Sequence, residues 1–197
     1  MLCTESAPVL SPQLLLAAYR KGYFPMADDD GAVHWHCPDP RAVFPLETIR
    51  PNIRLQRFLR KAGFELRVDT AFKEVMESCA TLHGESWISP AMVDAYTRLH
   101  RAGHAHSVET WQNGNLIGGI YGVAIGAAFF GESMFSLKPN ASKAAFFRLA
   151  EHLRQQRFLL FDTQYINDHT ESLGAIEIPR KEFLRSLSFA VSAPASF

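Results

Sequence analysis

The residues best suited by type to do chemistry are two carboxylates and one amide, each set in an apolar stretch. Glu132 interrupts the run FFGESMF, and Asp162 and Gln164 close the run FLLFDTQ. In a strand the side chains at i and i+2 share a face, so Asp162 and Gln164 are expected to project together. A charge at the end of a buried strand serves either as a simple cap or ion pair, or as part of a site that orients a reacting group and moves a proton. For any one such residue the first reading is the commoner, but three on neighbouring central strands favour a site.

Rival constellations are weaker. His34, His36 and Cys37 lie close together, and His104 and His106 repeat the His-x-His spacing, yet no carboxylate or fourth ligand stands at a convincing distance, so no metal is expected. No Ser/His/Asp or Cys/His arrangement can be picked out, and GESMF lacks the Gly-x-Ser-x-Gly of a nucleophile elbow. The glycines at 118, 119, 122, 126 and 131 never form Gly-x-Gly-x-x-Gly and fall inside apparent strands. There a glycine marks a bulge or a close approach of backbone to a ligand.

Around these residues the chain reads as an ordinary globular protein. Its 197 residues fit one domain, or one domain with a small appendage. The apolar runs near Leu14 to Ala18 and Leu116 to Phe130 are too short or too glycine-broken to span a bilayer, and the N-terminus lacks the order of a signal peptide. A cytoplasmic monomer without membrane attachment is expected. Cys3, Cys37 and Cys79 show no CxxC spacing, which argues against a disulfide framework or a zinc ribbon. With a formal net charge of +0, a nucleic-acid partner must be argued from a local patch. Arg50, Arg54, Arg57, Arg60, Lys61 and Arg67 supply one, against the single acid Glu65. If the stretch is helical, offsets of three and four put most of these cations on one side, a pattern that by itself is more often a solvated face than a phosphate-binding one.

The elements that must position the site follow from caps and periodicity. Ser11-Pro12 starts a helix that Gly22 ends, with cations in its last turn. Tyr23 to Pro45, rich in proline, aspartate and aromatics, reads as an ordered loop with short strands, and residues 1–45 as a small N-terminal lobe before a larger domain over 46–197. In that domain Phe64 to Val68 predicts a strand, and Phe72 to Leu82 and the segment after Ser89-Pro90 predict helices. His106 to Trp111 and Leu116 to Val123 flank the hairpin turn Asn113-Gly114, and Ala127 to Ser136 forms a third strand. Asn140 caps a helix running to about Gln156, a strand over Phe158 to Gln164 follows, and short helices lie near His169 to Leu173 and Lys181 to Leu187. The order is that of an α+β domain with a mixed central sheet, and it resembles the N-acetyltransferase-like (GNAT-like) fold.

Nearly the whole chain also carries longer segments in a recognisable order: GYFPM, WHCPDPRAVFPL, the stretch Ser86 to Glu109, LIGGIYGVAIG, FFGESMFS, NASK, DTQ and HTESLGAIEIPR. In these segments the chain resembles the leucyl/phenylalanyl-tRNA:protein transferases. That resemblance implies transfer of Leu or Phe, less well Met, from aminoacyl-tRNA to proteins that begin with Arg or Lys, marking them for N-end rule degradation. An aminoacyl ester is already activated, so no cofactor is implied. Asp162 would orient and polarise Gln164, whose carbonyl accepts a hydrogen from the attacking amine. Glu132 would hold the acceptor or the aminoacyl amino group, with Asp168 and Glu171 adding to the field. Ile120, Phe129, Phe146, Leu149 and Phe161 would line the aminoacyl pocket. Trp87 would stack on the terminal adenosine; the second tryptophan expected there is Met26 in this chain. Arg54, Arg57, Arg60 and Lys61 would meet the acceptor-stem backbone. An acetyl-CoA-dependent enzyme of the same fold is disfavoured, because the turn SLKPNASK has no glycine to cradle a pyrophosphate. A non-catalytic RNA- or peptide-binding module would tolerate loss of DTQ.

Overall fold

The computed structural model describes residues 10–28, 32–82 and 87–197; Cys3, Asp29, Asp30, Gly31 and Ser86 lie outside the described residues. Helix α1, Pro12–Tyr19, starts where expected: the Ser11 hydroxyl accepts the Leu14 N–H at 3.2 Å, and proline takes the first turn. It stops one residue before Arg20, so the expected cations fall just beyond its last turn, and Gly22 leaves in the left-handed region at φ 86°. Strands β1, Phe24–Ala27, and β2, Val33–His36, then form a two-stranded sheet of their own. Strand β3, Arg41–Val43, does not stay with them but enters the large sheet, so the lobe boundary expected at residue 45 lies beyond a strand already built into the main domain.

The main domain follows as α2, Ile53–Lys61; β4, Glu65–Val68; α3, Phe72–Leu82; and α4, Pro90–Arg101. Next come the meander β5, Ala105–Gln112; β6, Asn115–Ile125; and β7, Ala128–Ser136. Helix α5, Ala141–Gln155, leads to β8, Leu160–Gln164, and then to α6, Asp168–Ser172; β9, Ile176–Ile178; and α7, Arg180–Ala190. The seven-stranded sheet has the order β4-β5-β6-β7-β8-β3-β9. Among its described pairings β7 with β8 is parallel and the rest are antiparallel. A parallel neighbour demands a crossover, which α5 supplies. The class is α+β with a mixed sheet, as expected. Asn140 corrects one detail: it stands at the cap position just before α5 but with φ 65° and no side-chain cap, and the Ser136 hydroxyl accepts the Ser142 N–H instead. With its backbone left-handed, Asn140 makes no capping bond to the first turn.

One core packs α1, α3, α4 and α7 on one face of the sheet through Leu15, Val75, Met92 and Phe183, and a second packs α5 on the other through Phe146, Leu149 and Leu153. Between them β7 and β8 part company. Their ladder has three partner pairs and ends at Phe130↔Asp162, while β7 continues to Ser136. Two irregularities sit at this divergence. In the β6–β7 ladder Tyr121 faces Ser133 and Gly122 faces Gly131, so Glu132 is the extra residue of a bulge. In the β3–β8 ladder Ala42 faces Gln164 and Val43 faces Asp162, which makes Thr163 a second extra residue.

The glycine reading is sharpened at Gly122, opposite the first bulge. A Cβ there would lie 2.2 Å from the Phe130 carbonyl oxygen and 2.5 Å from the Phe129 ring, so the close approach is to the protein's own strand. Gly122→Ala is expected to cost about 3 kcal/mol in chemical denaturation, because the fixed β6–β7 ladder cannot yield to the methyl without repacking.

Candidate active site

The parting of β7 and β8 opens a cavity of about 710 Å³. Glu132 and Gln164 line it together with Ile120, Phe161, Met26 and Trp87. The bulge at Thr163 and the left-handed backbone of Gln164, φ 62°, break strict alternation, so Phe161, Thr163 and Gln164 all reach the cavity while Asp162 stays behind it, fully buried. The expectation that Asp162 and Gln164 project together into one site is corrected to that extent. They remain in contact, but through the backbone: the Gln164 N–H donates to Asp162 Oδ1 at 3.1 Å.

Asp162 is held by Arg41, also fully buried, from β3. Arg41 Nε donates to Oδ1 at 2.8 Å and Nη2 to Oδ2 at 2.6 Å, and Nη1 donates to the Gly22 carbonyl at 3.1 Å. The guanidinium plane lies between the Phe24 and Phe183 rings, 4.8 and 4.4 Å from their centroids. Burial works against its charge, but the hydrogen-bonded Asp162 carboxylate outweighs that and raises its pKa. Sequence reasoning did not single out Arg41. The signal was there: a lone cation entering the apolar run AVF has the same form as a lone anion closing FLLFD, and the two strands turn out to be neighbours.

Glu132 is the polar centre of the cavity wall. Gln164 Nε2 donates to its Oε1 at 3.1 Å, and the Tyr96 hydroxyl donates to its Oε2 at 3.4 Å. Tyr96 is in turn hydrogen-bonded to the Tyr19 hydroxyl. Burial pushes the Glu132 carboxyl up to about 8, against the pull of the Tyr19 hydroxyl and with a further push from Asp162. The amide of Gln164 thus spends an N–H on Glu132, which leaves its carbonyl as the acceptor of the pair.

Of the other expected residues, Ile120 and Phe161 are on the cavity wall, and Phe129, Phe146 and Leu149 are buried behind it. Phe146 lies nearly parallel to Phe161, with centroids 5.9 Å apart, and both rings meet Phe44, which also lines the cavity. Met26 and Trp87 stand close together at the rim: the Ala27 N–H donates to the Trp87 carbonyl at 3.2 Å. Asp168 and Glu171 sit exposed on α6, which sends His169 and Thr170 to the lining instead. Arg54, Arg57, Arg60 and Lys61 are exposed on α2, capped by Asn52, and make no ion pair among the described residues. The histidine pairs disperse: His34 meets Asp28 at 2.9 Å, and His106 meets Asp69 at 2.7 Å.

Residues 9–39 match the model of the leucyl/phenylalanyl-tRNA protein transferase N-terminal domain, and residues 43–188 match that of the leucyl/phenylalanyl-tRNA protein transferase proper. The chain belongs to this family. The transferase of Gloeobacter violaceus is 47% identical over 189 residues, which are 95% of this chain and 97% of that one. That of Herpetosiphon aurantiacus is 48% identical over 95% of this chain and 98% of its own, and that of Chlorobaculum parvum 48% over 93% and 96%. Among solved structures a distant likeness, 14% identical with a TM-score of 0.40 over 56% of this chain and 86% of the other, is to the ribosomal-protein-alanine N-acetyltransferase of Brucella melitensis biovar Abortus 2308. As a leucyl/phenylalanyl-tRNA–protein transferase the chain is an enzyme, an aminoacyltransferase.

The family's DTQ segment is therefore anchored by a buried ion pair. Removing one partner of such a pair costs about 3–5 kcal/mol, because the other charge is stranded. Arg41→Met and Asp162→Leu are each expected to lose that much stability, and the double variant to lose clearly less than their sum; a denaturant-melting cycle measures the difference.

Proposed function

We propose that the cavity between β7 and β8 receives the aminoacylated 3′ end of a Leu- or Phe-tRNA, with Gln164 and Glu132 aligning the N-terminal amine of an acceptor protein. The observation that carries this is the hydrogen-bonded pair Gln164–Glu132 on one wall of a cavity otherwise lined by Phe44, Ile120 and Phe161. The amine nitrogen bonds to the ester carbonyl carbon, the bond to the ribose oxygen breaks, and the proton lost by the amine is balanced by one gained at that oxygen. The ester is already activated and an α-amine has a pKa of about 7.7–8.0, so alignment supplies most of what the reaction needs.

In this reading the Gln164 carbonyl accepts a hydrogen from the attacking amine. Asp162 acts by fixing the Gln164 backbone, and Glu132 holds the acceptor's amino group in place by a hydrogen bond. An apolar pocket with Ile120 and Phe161 on its wall, and Phe129, Phe146 and Leu149 behind, suits Leu and Phe and admits Met less well, since a methylene misfit is worth only about 1–3 kcal/mol. Trp87 stacks on the terminal adenosine with Met26 packed on the same base, and Arg54, Arg57, Arg60 and Lys61 meet acceptor-stem phosphates. The acceptors begin with Arg or Lys, whose charge the Glu132 carboxylate favours, and transfer marks them for N-end rule degradation. The enzyme works as a cytoplasmic monomer without a cofactor; no described helix is long and apolar enough to cross a membrane.

Labelled Leu-tRNA and peptides differing only in residue one test this directly. Product is expected with Arg and Lys and not with Ala, and Gln164→Ala is expected to lower kcat about 10²-fold or more with Leu-tRNA affinity unchanged. Transfer at the parent rate by Gln164→Ala would overturn the assignment. Separately, Arg54→Glu with Arg57→Glu is expected to weaken tRNA binding and to reduce the salt slope by about 0.7–0.9 per lost phosphate contact, read from affinities across a salt series.

A further inference from the structure

We infer that Tyr19 and Tyr96 are positioning residues for the transfer: their joined hydroxyls aim the Glu132 carboxyl into the cavity and favour its charged form. This rests on the reading above that Glu132 meets the acceptor amine. The two tyrosines come from separate helices, α1 and α4, and both rings are fully buried. Their hydroxyls are hydrogen-bonded to each other, and Tyr96 donates to Glu132 Oε2. Phenylalanine would fill the same space without taking two hydroxyls out of water, so packing alone gives no reason for them.

The hydrogen-bond count supports an ionised carboxylate. A phenol offers one proton, and a buried carboxylate accepts without donating. Either hydroxyl can donate within the Tyr19–Tyr96 bond, and with Tyr96 donating to Oε2 and Gln164 Nε2 to Oε1 both carboxylate oxygens act as acceptors. Burial beside Glu132 raises the pKa of both phenols well above the ordinary tyrosine value, so both remain donors throughout the working pH range.

The charged and titratable groups facing Glu132 come from every element around it. Asp162 on β8 opposes its charge and Arg41 on β3 favours it. Tyr121 on β6 and Cys79 on α3 stand close by, both neutral because burial raises their pKa values. Desolvation is the largest influence and disfavours the charge, and the hydroxyls of Tyr19 and Tyr96 work against it. Bulging has turned Glu132 out of its ladder, and the tyrosines fix where it then points. A positioned carboxyl in a partly dry wall orients an entering amino group, and the tyrosines make its charged form easier to reach.

Tyr19→Phe and Tyr96→Phe, with Tyr121→Phe as control, test the assignment. Tyr121 is suited to this because its hydroxyl has no hydrogen-bond partner. Two readouts are taken: the pH profile of kcat/KM for an Arg-initiated peptide, and the infrared titration of the Glu132 carboxyl, assigned by difference from Glu132→Gln. In both tyrosine variants the acid limb and the infrared midpoint are expected to move up by about 1 pH unit, a roughly tenfold loss near pH 7 that recovers toward pH 9. KM for Leu-tRNA and the profile of Tyr121→Phe are expected to stay as in the parent. An infrared midpoint unmoved in the two variants overturns the proposal, even if they melt at lower temperature. A parent inactive on Leu-tRNA overturns the reading of the cavity instead, because the infrared titration does not depend on turnover. If one variant fails to fold, the other decides alone.

Discussion

The buried ion pair between Arg41 and Asp162 is the constraint on which the rest of the molecule depends. A guanidinium and a carboxylate with no exposure to water persist only if their donors and acceptors are met, and here two parts of the chain supply hydrogen-bond partners and two more supply ring cover. The turn after α1 offers the Gly22 carbonyl, β1 and α7 cover the two faces with Phe24 and Phe183, and β8 brings the anion. Lysine could not do this, since a point charge has neither a flat face for two rings nor a fork for two oxygens. The pair therefore joins the small lobe, the sheet and the last helix at one point. The backbone N–H of Gln164 is tied to that point as well.

From there the geometry of the site is a matter of where ladders end. A parallel pair of strands with a helix between them is rigid where it is bonded and free to diverge where it is not. The divergence past Phe130 and Asp162 opens the cavity without a loop having to enclose it. Apolar rings from the α5 side make one wall, and the polar groups anchored from the α1 and α4 side make the other. The cavity thus has an oily side and a hydrogen-bonding side because it lies where the two cores meet.

Much of this was legible in the residues. The caps at Ser11 and Ser89, the Asn113-Gly114 turn and the alternation of the meander are local rules, and the elements they predict are present. Glu132, Asp162 and Gln164 stood out because charge in an apolar run is rare, and the structure brings them together. What could not be read is whatever depends on register. Nothing in RAV says that these three residues of the expected lobe will sit between β8 and β9, so Arg41 gave no sign of its partner. The pairing of Tyr19 with Tyr96 could not be read either, because a hydroxyl's partner on another element leaves no local trace. The i, i+2 rule for Asp162 and Gln164 assumed an unbroken strand, and an extra residue at Thr163 broke it. The cap expected of Asn140 failed for a similar reason, its backbone having gone left-handed.

The extra residue at Glu132 has a wider meaning. A ladder of strands is a one-dimensional lattice, and Glu132 is a dislocation in it: on either side the repeat is regular, but the two sides are out of step by one. Such a defect cannot be smoothed away by small adjustments, because closing it would slide every later residue of β7 to the opposite face. It can only be deleted outright or moved along the strand. Lengthening or shortening the two-residue turn at Gly126 and Ala127 would shift the whole strand, and with it the defect, away from the end of β8. The tightness of that turn and the position of Glu132 are one and the same piece of information, so a length change in this hairpin is felt at the cavity wall.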